Sequence, residues 1–365
     1  MLNTAWALPV PVDLSTQSEK QATRAWPVTA PLPSPDGLRP CCAFGYNLRA
    51  KLLGIPVPLY RLNNIVEEGN LGEHEYNDRL LGALLNLSGL SRENDGIIYT
   101  RRGGFIDIAH VRDSADMTFY LFSHLRAHRG QRFALTLSDE LTHREVVTND
   151  FTAPENAAEA YTLDAWLAGW LAFQLAAWHE IAQWYGYHSV PEFPEDISAF
   201  SPEDLYSNLL GVRLAVSLLL DGHGASTTDY NIAMTRIIPE ALVRLGGVPA
   251  ALTRFQLDML DGRWWDSHRA VPDKFLVLKR NYQTNDDRLP TPVPGETLSP
   301  LRLTLPHELY GRKFTDLARL KLCVGNHMAR LPKPDGCYSA ESFDALALSA
   351  RAEDARQLSA QSFEH

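Results

Sequence analysis

The sequence lacks long hydrophobic runs and an excess of positive charge. The stretch AWLAGWLAFQLAAW at 165–178 is uncharged, but its 14 residues are fewer than the roughly 20 that a transmembrane helix needs. The 365 residues include 34 Lys and Arg against 44 Asp and Glu, so the formal net charge is −10. This balance argues against a surface that follows nucleic-acid phosphates. We therefore expect no transmembrane segment and no nucleic-acid partner.

The sequence also lacks the motifs of several common active and metal sites. Its four cysteines, Cys41, Cys42, Cys323 and Cys337, have neither CxxC nor Cys/His zinc-module spacing. The last two flank a turn-rich stretch and could close a disulfide loop in an oxidising compartment, with buried free thiols as the alternative. The signatures GxSxG, GxGxxG and Walker A are absent, so an α/β-hydrolase, a Rossmann domain and a P-loop enzyme have no support.

Proline-rich segments divide the chain. The 45% hydrophobic and 21% charged content is typical of a globular protein. Prolines recur from Pro9 to Pro40, which predicts an extended segment over 1–38. We expect one main domain over 39–330, followed by a partly helical tail over 331–365.

Hydrophobic periodicity predicts a mainly α fold with some β structure. The segments GIIYT and GGFID around Arg101 read as a β-hairpin, and RFALTL with REVVTN as another. The run LARLKLCV at 317–324 suits either a strand or a helix. The fold class is α-rich α+β, a central bundle of buried helices with minor antiparallel hairpins. Helical spacing marks 108–128, 158–186, 202–221, 229–245 and 248–261, with Ser201 as the expected N-cap of the third.

The first candidate site lies in GGFIDIAHVRDSAD at 103–116, where a helix is expected to begin near Asp107. A spacing of three places Asp107, His110 and Asp113 along one stripe of that helix. Two carboxylates beside an imidazole can orient it or join it in binding a divalent metal. The alternatives are that Asp107 only caps the helix and that Arg112 forms an ordinary surface ion pair.

The second candidate is His179-Glu180, which follows the long apolar stretch in WHEIAQWYGYH at 178–188. Burying both groups is costly unless each is paired or bound to metal. The pair is similar to the opening of the zincin HExxH helix, but Gln183 occupies the position of the second histidine. A buried polar clamp between helices is the alternative.

Two further segments are weaker candidates. FSPEDLYSNLLG at 200–211 places Asp204 and Asn208 on one face of a helix, although capping explains its acids. DGRWWDSHRAVPD at 261–273 gathers Arg263 and His268 around two tryptophans, and we interpret it as a surface loop.

Five segments carry a resemblance to a known family: RPCCAFG, PVPLYRLNNI, GIIYTRRGGFIDIAHVRDSAD, WHEIAQWYG and AFSPEDLYSNLLG. Together, over about 40–330, they resemble DUF4056, an uncharacterised bacterial domain family. The resemblance implies an exported or envelope-associated protein and carries no assigned reaction. We therefore expect a periplasmic or otherwise extracytoplasmic location, although the opening MLNTAWALPVPV lacks the basic and apolar regions of a signal peptide.

These observations favour a metal-dependent hydrolase that cleaves an amide or ester bond, or a phosphate ester, in a small or envelope-derived substrate. The metal, with zinc favoured, would be held by His110 and His179 with Asp107 or Asp113. Glu180 would act on the metal-bound water and Arg112 would orient an anionic group.

Two other functions stay open. A cysteine amidase or acyltransferase would use Cys41 or Cys42 as nucleophile with His110 as base. A non-enzymatic envelope or binding protein would use the same polar residues only to fix the register of its helices.

Overall fold

Three long buried helices form the centre of the fold. They are α1 (Ile108–Ala127), α2 (Ala157–Trp184) and α3 (Asp204–Asp221). The computed structural model describes residues 14, 19–35, 39, 43–52, 55–62, 64–76, 92–189, 195–325, 328 and 330–362. Helix α2 is apolar on nearly all sides, as expected for a helix surrounded by other elements.

The three helices approach one another closely where glycine replaces a side chain. A Cβ atom at Gly211 of α3 would lie 2.0 Å from the carbonyl oxygen of Val111 in α1. At Gly169 of α2, a Cβ atom would lie 2.9 Å from side-chain atoms of Val212 and Val216 in α3. Helix α3 therefore lies against both of its partners with little space between backbones.

The ends of these helices follow the capping chemistry of the sequence, with one difference. The side chain of Asp107 accepts a hydrogen bond from Ala109 N at 2.8 Å, and so caps α1 as predicted. Ser201 does not cap α3, because its hydroxyl donates to Glu203 Oε2 at 2.9 Å. The helix begins at Asp204 with Glu203 in the N-cap position, so the predicted start at residue 202 was wrong by two residues.

Smaller elements surround this centre. Helices α4 (Thr227–Leu245) and α5 (Ala250–Leu260) follow the core helices in the chain, α6 (Phe314–Leu317) is a single turn, and α7 (Phe343–Ser362) is the last helix described. The sequence prediction of an α-rich α+β fold is confirmed. No helix in the described ranges has the length and apolar character to cross a membrane.

The strands form antiparallel hairpins and one four-stranded sheet. Strands β3 (Ile97–Thr100) and β4 (Gly104–Asp107) pair as predicted, with Ile97 opposite Asp107. Strands β5 (Ala134–Glu140) and β6 (Thr142–Thr148) form the second predicted hairpin. In the ambiguous run at 317–324, Leu317 ends α6 and the strand β9 (Ala318–Cys323) follows. The remaining strands are β1 (Leu48–Leu52), β2 (Ile55–Leu62), β7 (Glu308–Leu309), β8 (Arg312–Lys313) and β10 (Cys337–Tyr338). The larger sheet has the order β10-β9-β6-β5.

The segment 19–35 and helix α7, towards the two ends of the described residues, are tied to the core helices. The segment 19–35 is extended and follows α1 and α2, with Ala22 N donating to Thr162 Oγ1 and Leu32 N donating to Ser123 Oγ, each at 3.0 Å. Helix α7 is held by Asp354, whose carboxylate accepts from Trp184 Nε1 at 3.0 Å. At the sheet, Cys323 lies opposite Cys337 and forms a disulfide with it.

Candidate metal centre

The ends of three helices bring a group of acids together in the interior. Asp107 and His110 lie at the start of α1, Glu180 near the end of α2, and Glu203 and Asp204 at the start of α3. The exposed fraction is 0% for Asp107, Glu180 and Asp204, 2% for Glu203 and 7% for His110. We call these five residues the carboxylate cluster.

Asp107 reaches the cluster because strand β4 runs directly into α1. Its backbone N donates to Ser207 Oγ at 3.0 Å, and Ser207 Oγ in turn donates to the carbonyl oxygen of Glu203 at 2.8 Å. This pair of bonds joins the starts of α1 and α3. Capping occupies Oδ1 of Asp107, while Oδ2 is buried without a hydrogen-bond partner. One oxygen therefore stays available for a ligand.

His110 is oriented by an amide. Its Nδ1 lies 3.2 Å from Asn208 Oδ1, which also accepts from Ser114 Oγ at 2.7 Å. Because an amide oxygen only accepts hydrogen bonds, His110 donates through Nδ1. Its Nε2 lies 3.5 Å from Asp204 Oδ1. This is the arrangement in which a second hydrogen bond fixes the tautomer of a metal-binding histidine.

Glu180 has one oxygen held by the backbone and one that lies among the other members of the cluster. Its Oε2 accepts a hydrogen bond from Phe200 N at 2.6 Å, and Phe200 adopts a left-handed backbone conformation with φ 58°. Its Oε1 lies 4.0 Å from His110 Nδ1, and the Glu180 and Asp204 carboxyl groups share a side-chain hydrogen bond. The turn before α3 thus fixes the Glu180 carboxylate inside the cluster.

Burial and mutual repulsion raise the pKa values of the other acids. Burial raises the pKa of Asp107 to about 6. The pKa of Asp204 is raised well above its usual range by burial, then by the charges of Glu180, Glu203 and Asp107. Burial and the charge of Asp107 do the same for Glu203. Without a cation, the cluster therefore retains protons near neutral pH.

No arginine or lysine in the described part of the chain lies within ion-pair distance of these four carboxylates. The basic groups Arg280 and Arg288 act on the cluster only through space, and their guanidinium groups donate to backbone carbonyls instead. The amino-terminal ends of α1 and α3 supply the nearest positive partial charge. Both oxygens of Asp204 and Oε1 of Glu203 are buried, and the Asp204 carboxyl group shares a side-chain hydrogen bond with Glu180.

This set of atoms has the geometry of a metal site. One ligand atom each from Asp107, His110 and Asp204 lies within 4.8 Å of the other two, and all three residues are buried. Two carboxylates and one imidazole suit divalent zinc, iron or manganese.

The structure brings some of the predicted site residues together and separates others. Asp107, His110 and Glu180 share the cluster. His179 lies elsewhere, because its Nδ1 is 3.1 Å from Glu140 Oε1 and its Nε2 is 2.9 Å from Gln183 Nε2. Side chains at neighbouring positions on a helix differ by about 100° in direction, so His179 and Glu180 face different surroundings.

Arg112 and Asp113 also lie outside the cluster. Arg112 Nη1 donates to Asp95 Oδ1 at 2.7 Å, and Asp113 accepts from Arg39 Nη1 at 2.6 Å. Both belong to a separate buried network around Arg39, which also holds Glu93. Arg112 Nη2 also donates to the backbone carbonyl of Leu71 at 2.7 Å, so the polar partners of Arg112 and Asp113 lie within the protein and outside the cluster.

The sequence interpretation gave too little weight to the start of α3. Capping seemed to explain Asp204 and Glu203, yet neither caps the helix by a side-chain hydrogen bond. The available signal was two consecutive acids in a segment otherwise suited to the core. The candidate nucleophiles Cys41 and Cys42 lie outside the described residues. His268, in the predicted surface loop, has a side chain 92% exposed.

Comparison with known proteins gives a family and no activity. No curated protein and no solved structure significantly matches the chain. A family model described as a protein of unknown function, DUF4056, matches residues 29–294, which include every residue of the carboxylate cluster. The chain therefore belongs to the DUF4056 family.

Proposed function

We propose that Asp107, His110 and Asp204 bind a divalent metal ion, and that the protein uses it to hydrolyse an amide or ester bond. The observation that carries this proposal is the convergence of three ligand atoms within 4.8 Å in the interior. Buried carboxylate oxygens without hydrogen bonds are costly unless a proton or a cation satisfies them. A divalent cation would satisfy several at once. Zinc, which the sequence analysis favours, suits this donor set, as do iron(II) and manganese(II).

The proposed chemistry follows from Oε1 of Glu180, the oxygen that the backbone does not hold. A bound divalent ion supplies a lowered pKa for coordinated water and polarises the substrate carbonyl. Glu180 Oε1 accepts the proton as the water oxygen adds to the carbonyl carbon, while Phe200 N–H holds Oε2. The same proton then passes to the leaving oxygen or nitrogen as its bond to carbon breaks. A phosphate ester could be cleaved with the same two groups.

The direction of substrate approach follows from exposure. His110 is the most exposed member of the cluster, with 8% of its side chain accessible. The reacting bond would therefore approach past the His110 ring, which favours a substrate with a narrow reactive end.

Complete burial supports a second candidate, a non-catalytic metal centre. Asp107, Glu180 and Asp204 have no exposed surface, as is usual for the ligands of a metal ion that holds helices together. In this function the metal would join α1, α2 and α3 without turnover.

Metal analysis tests the binding step. Protein purified without chelator should contain stoichiometric metal, which His110→Asn should lose. The control His268→Asn changes an exposed histidine and should retain it. Folded wild-type protein that cannot take up metal from zinc, manganese(II) or iron(II) solutions would contradict both functions.

A second variant separates catalysis from a structural role. Glu180→Gln should retain the metal but lower kcat about 100-fold or more on chromogenic esters, amides or phosphate esters. A metal-loaded wild-type protein that cleaves none of these, and that unfolds at lower temperature when the metal is removed, would support the non-catalytic centre.

We also propose that the protein is bacterial and that it lies in an oxidising, extracytoplasmic compartment. The disulfide between Cys323 and Cys337 supports this location, because reducing compartments keep such thiols free. Rapid alkylation of the protein in its native cells should leave both cysteines unlabelled unless a reductant is added first. Labelling of both without reductant would contradict the location.

A further inference from the structure

We propose that Arg280 is a positioning residue for Glu180 and acts on it through the peptide group that joins Ala199 to Phe200. This inference rests on the proposed function, in which Glu180 takes a proton from water. The observation that carries it is a chain of two hydrogen bonds. The carbonyl oxygen of this peptide group accepts from Arg280, and its N–H donates to Glu180. Arg280 therefore bears on the base through one rigid unit of backbone.

The direction of the Phe200 N–H depends on an unfavourable backbone conformation. Phe200 has φ 58°, in the left-handed region where the Cβ atom of an L-residue meets steric resistance. A residue persists in this region when its surroundings hold it there. In this conformation Phe200 N lies 2.6 Å from Glu180 Oε2, and the Phe200 side chain is completely buried. A change of this φ would redirect the N–H, so the turn at 197–200 has to be held for Glu180 to keep its orientation.

Arg280 holds the carbonyl side of this turn. Its Nη1 donates to Ala199 O, and its Nη2 donates to Ile197 O at 3.1 Å. The Nη2 atom also donates to Lys274 O at 2.8 Å, which fixes the guanidinium group itself. Because a peptide group is planar, an oxygen held by Arg280 sets the direction of the N–H on the opposite side. A charged donor on the oxygen also polarises the peptide group and strengthens the hydrogen bond that its N–H gives to Glu180.

The next two residues hold the other side of Phe200. Asn281 N donates to Phe200 O at 2.8 Å. The Tyr282 ring lies against the Phe200 ring, with 5.1 Å between their centroids. The peptide groups before and after Phe200 are thus both engaged by residues 280–282. This arrangement is expected where one segment of chain keeps a strained residue in place.

An ion pair alone does not account for Arg280. Its side chain is 3% exposed, and its Nε lies 3.6 Å from Asp354 Oδ2. Asp354 already has Lys274 Nζ at 2.5 Å and the Tyr282 hydroxyl at 2.6 Å. Burying a second cation beside it is costly unless the remaining donors of that cation are used. A guanidinium group can donate to two carbonyls of one turn at once, so the turn explains why an arginine lies here.

Hydrogen exchange and kinetics together test this role. In Arg280→Met, which removes the donors, the Phe200 amide should exchange at least about tenfold faster relative to the buried amides of α2. On the chromogenic substrates that the wild-type protein cleaves, kcat should fall about tenfold while KM and metal content stay unchanged. Arg280→Lys keeps one donor group and should lie between the methionine variant and the wild type in both measurements. The control Arg213→Met removes another buried arginine, which donates to Thr304 O, and should leave the Phe200 exchange ratio and kcat near their wild-type values.

The outcomes separate this role from a purely structural one and from the proposed function. An unchanged kcat in an active, folded Arg280→Met protein would overturn the positioning role, and so would exchange that becomes faster uniformly throughout the chain. Wild-type exchange at Phe200 in this variant would exclude action through the peptide group, whatever happens to kcat. If the methionine variant does not fold, the lysine variant decides, and wild-type values of both measurements in it would contradict the role. A wild-type protein that cleaves no substrate would overturn the proposed function, whereas selectively faster exchange at Phe200 in the variant would still support the hold on Glu180.

Discussion

The His110 imidazole has its two nitrogens in different roles. Nδ1 is engaged with the Asn208 amide, and Nε2 faces the Asp204 carboxylate at 3.5 Å. A histidine that is held at one nitrogen binds metal better, because its tautomer and ring orientation are set before the ion arrives. In the proposed metal centre, Asn208 would therefore act on the ion through His110.

Replacement of Asn208 should weaken metal binding. In Asn208→Leu the acceptor for His110 Nδ1–H is lost while the branched shape of the side chain is kept, and we expect the affinity for manganese(II) to fall about 10–100-fold. Asn208→Asp keeps an acceptor at this position and should bind at least as tightly as wild type. Calorimetric titration measures both, and an unchanged affinity in the leucine variant would exclude this positioning role.

Glu93 lies in the separate network around Arg39 and makes the stability of the fold depend on pH in the acid range. Burial alone raises its pKa, but Arg39 donates to both of its oxygens at 2.7 and 2.9 Å and lowers the pKa to about 2. The folded state thus binds fewer protons than the unfolded state between about pH 2 and 5. Stability from this pair is full above that window and is lost as the pH falls through it.

The variant Glu93→Gln should flatten this acid dependence. We expect the wild type to lose up to about 3 kcal/mol more than the variant between pH 5 and pH 2. The variant also carries a constant penalty, because its Arg39 keeps Asp113 and Asp116 as partners but loses the Glu93 carboxylate. Urea unfolding at several pH values measures the slopes. Parallel pH profiles for the two proteins would contradict the assignment.

At the scale of helices, Gly211 decides how closely α1 and α3 approach each other. Its missing side chain allows the Val111 carbonyl to lie where a Cβ would stand. The same approach brings His110 of α1 to Asn208 and Asp204 of α3. The distance between these helices therefore controls the geometry of the carboxylate cluster as well as the packing of the core.

Gly211→Ala should affect both properties. The added methyl group overlaps with backbone rather than with a flexible side chain, so we expect about 1–3 kcal/mol of destabilisation and weaker manganese(II) binding. The control Gly69→Ala places a methyl group in open space and should change stability by less than about 0.5 kcal/mol. Thermal unfolding with and without metal measures both effects, and a Gly211→Ala protein as stable as Gly69→Ala would contradict the steric argument.

At this scale the sequence predicted most elements and fewer of their ends. The helix at 108–127 and the hairpin before it follow from periodicity, glycines and the Asp107 cap, all of which are local. The start of α3 was misplaced because Ser201 bonds to Glu203 rather than to the helix. That choice depends on Phe200 and Glu180, which are brought there by packing.

At the scale of the whole molecule, the disulfide links β9 to β10 at one edge of the four-stranded sheet. Cys323 and Cys337 are 14 residues apart in sequence and pair on β9 and β10. The sequence left two possibilities, because spacing alone cannot distinguish buried thiols from a disulfide. Strand pairing places the two residues opposite each other.

Loss of this bond should lower the stability of the whole fold. Closing a loop of this length restricts the unfolded chain, and we expect the double variant Cys323→Ser, Cys337→Ser to lose about 2–4 kcal/mol. Guanidinium unfolding measures the change. Wild-type protein with excess reductant should match the variant, and a reductant effect that persists in the variant would rule out this bond as its source.

The sequence by itself determined the fold class, the main helices and two hairpins, because each depends on local hydrophobic periodicity. It also indicated three members of the cluster, because their carboxyl and imidazole groups stand out within short segments. Only the tertiary structure decided which of these residues meet. It placed Glu180 with His110 and turned His179 towards Glu140, although His179 and Glu180 are adjacent in the chain. It also brought Asp204 to His110 across 94 positions of sequence. Such contacts depend on how helices cross, and helix crossing is set by packing among distant residues such as Gly211 and Val111.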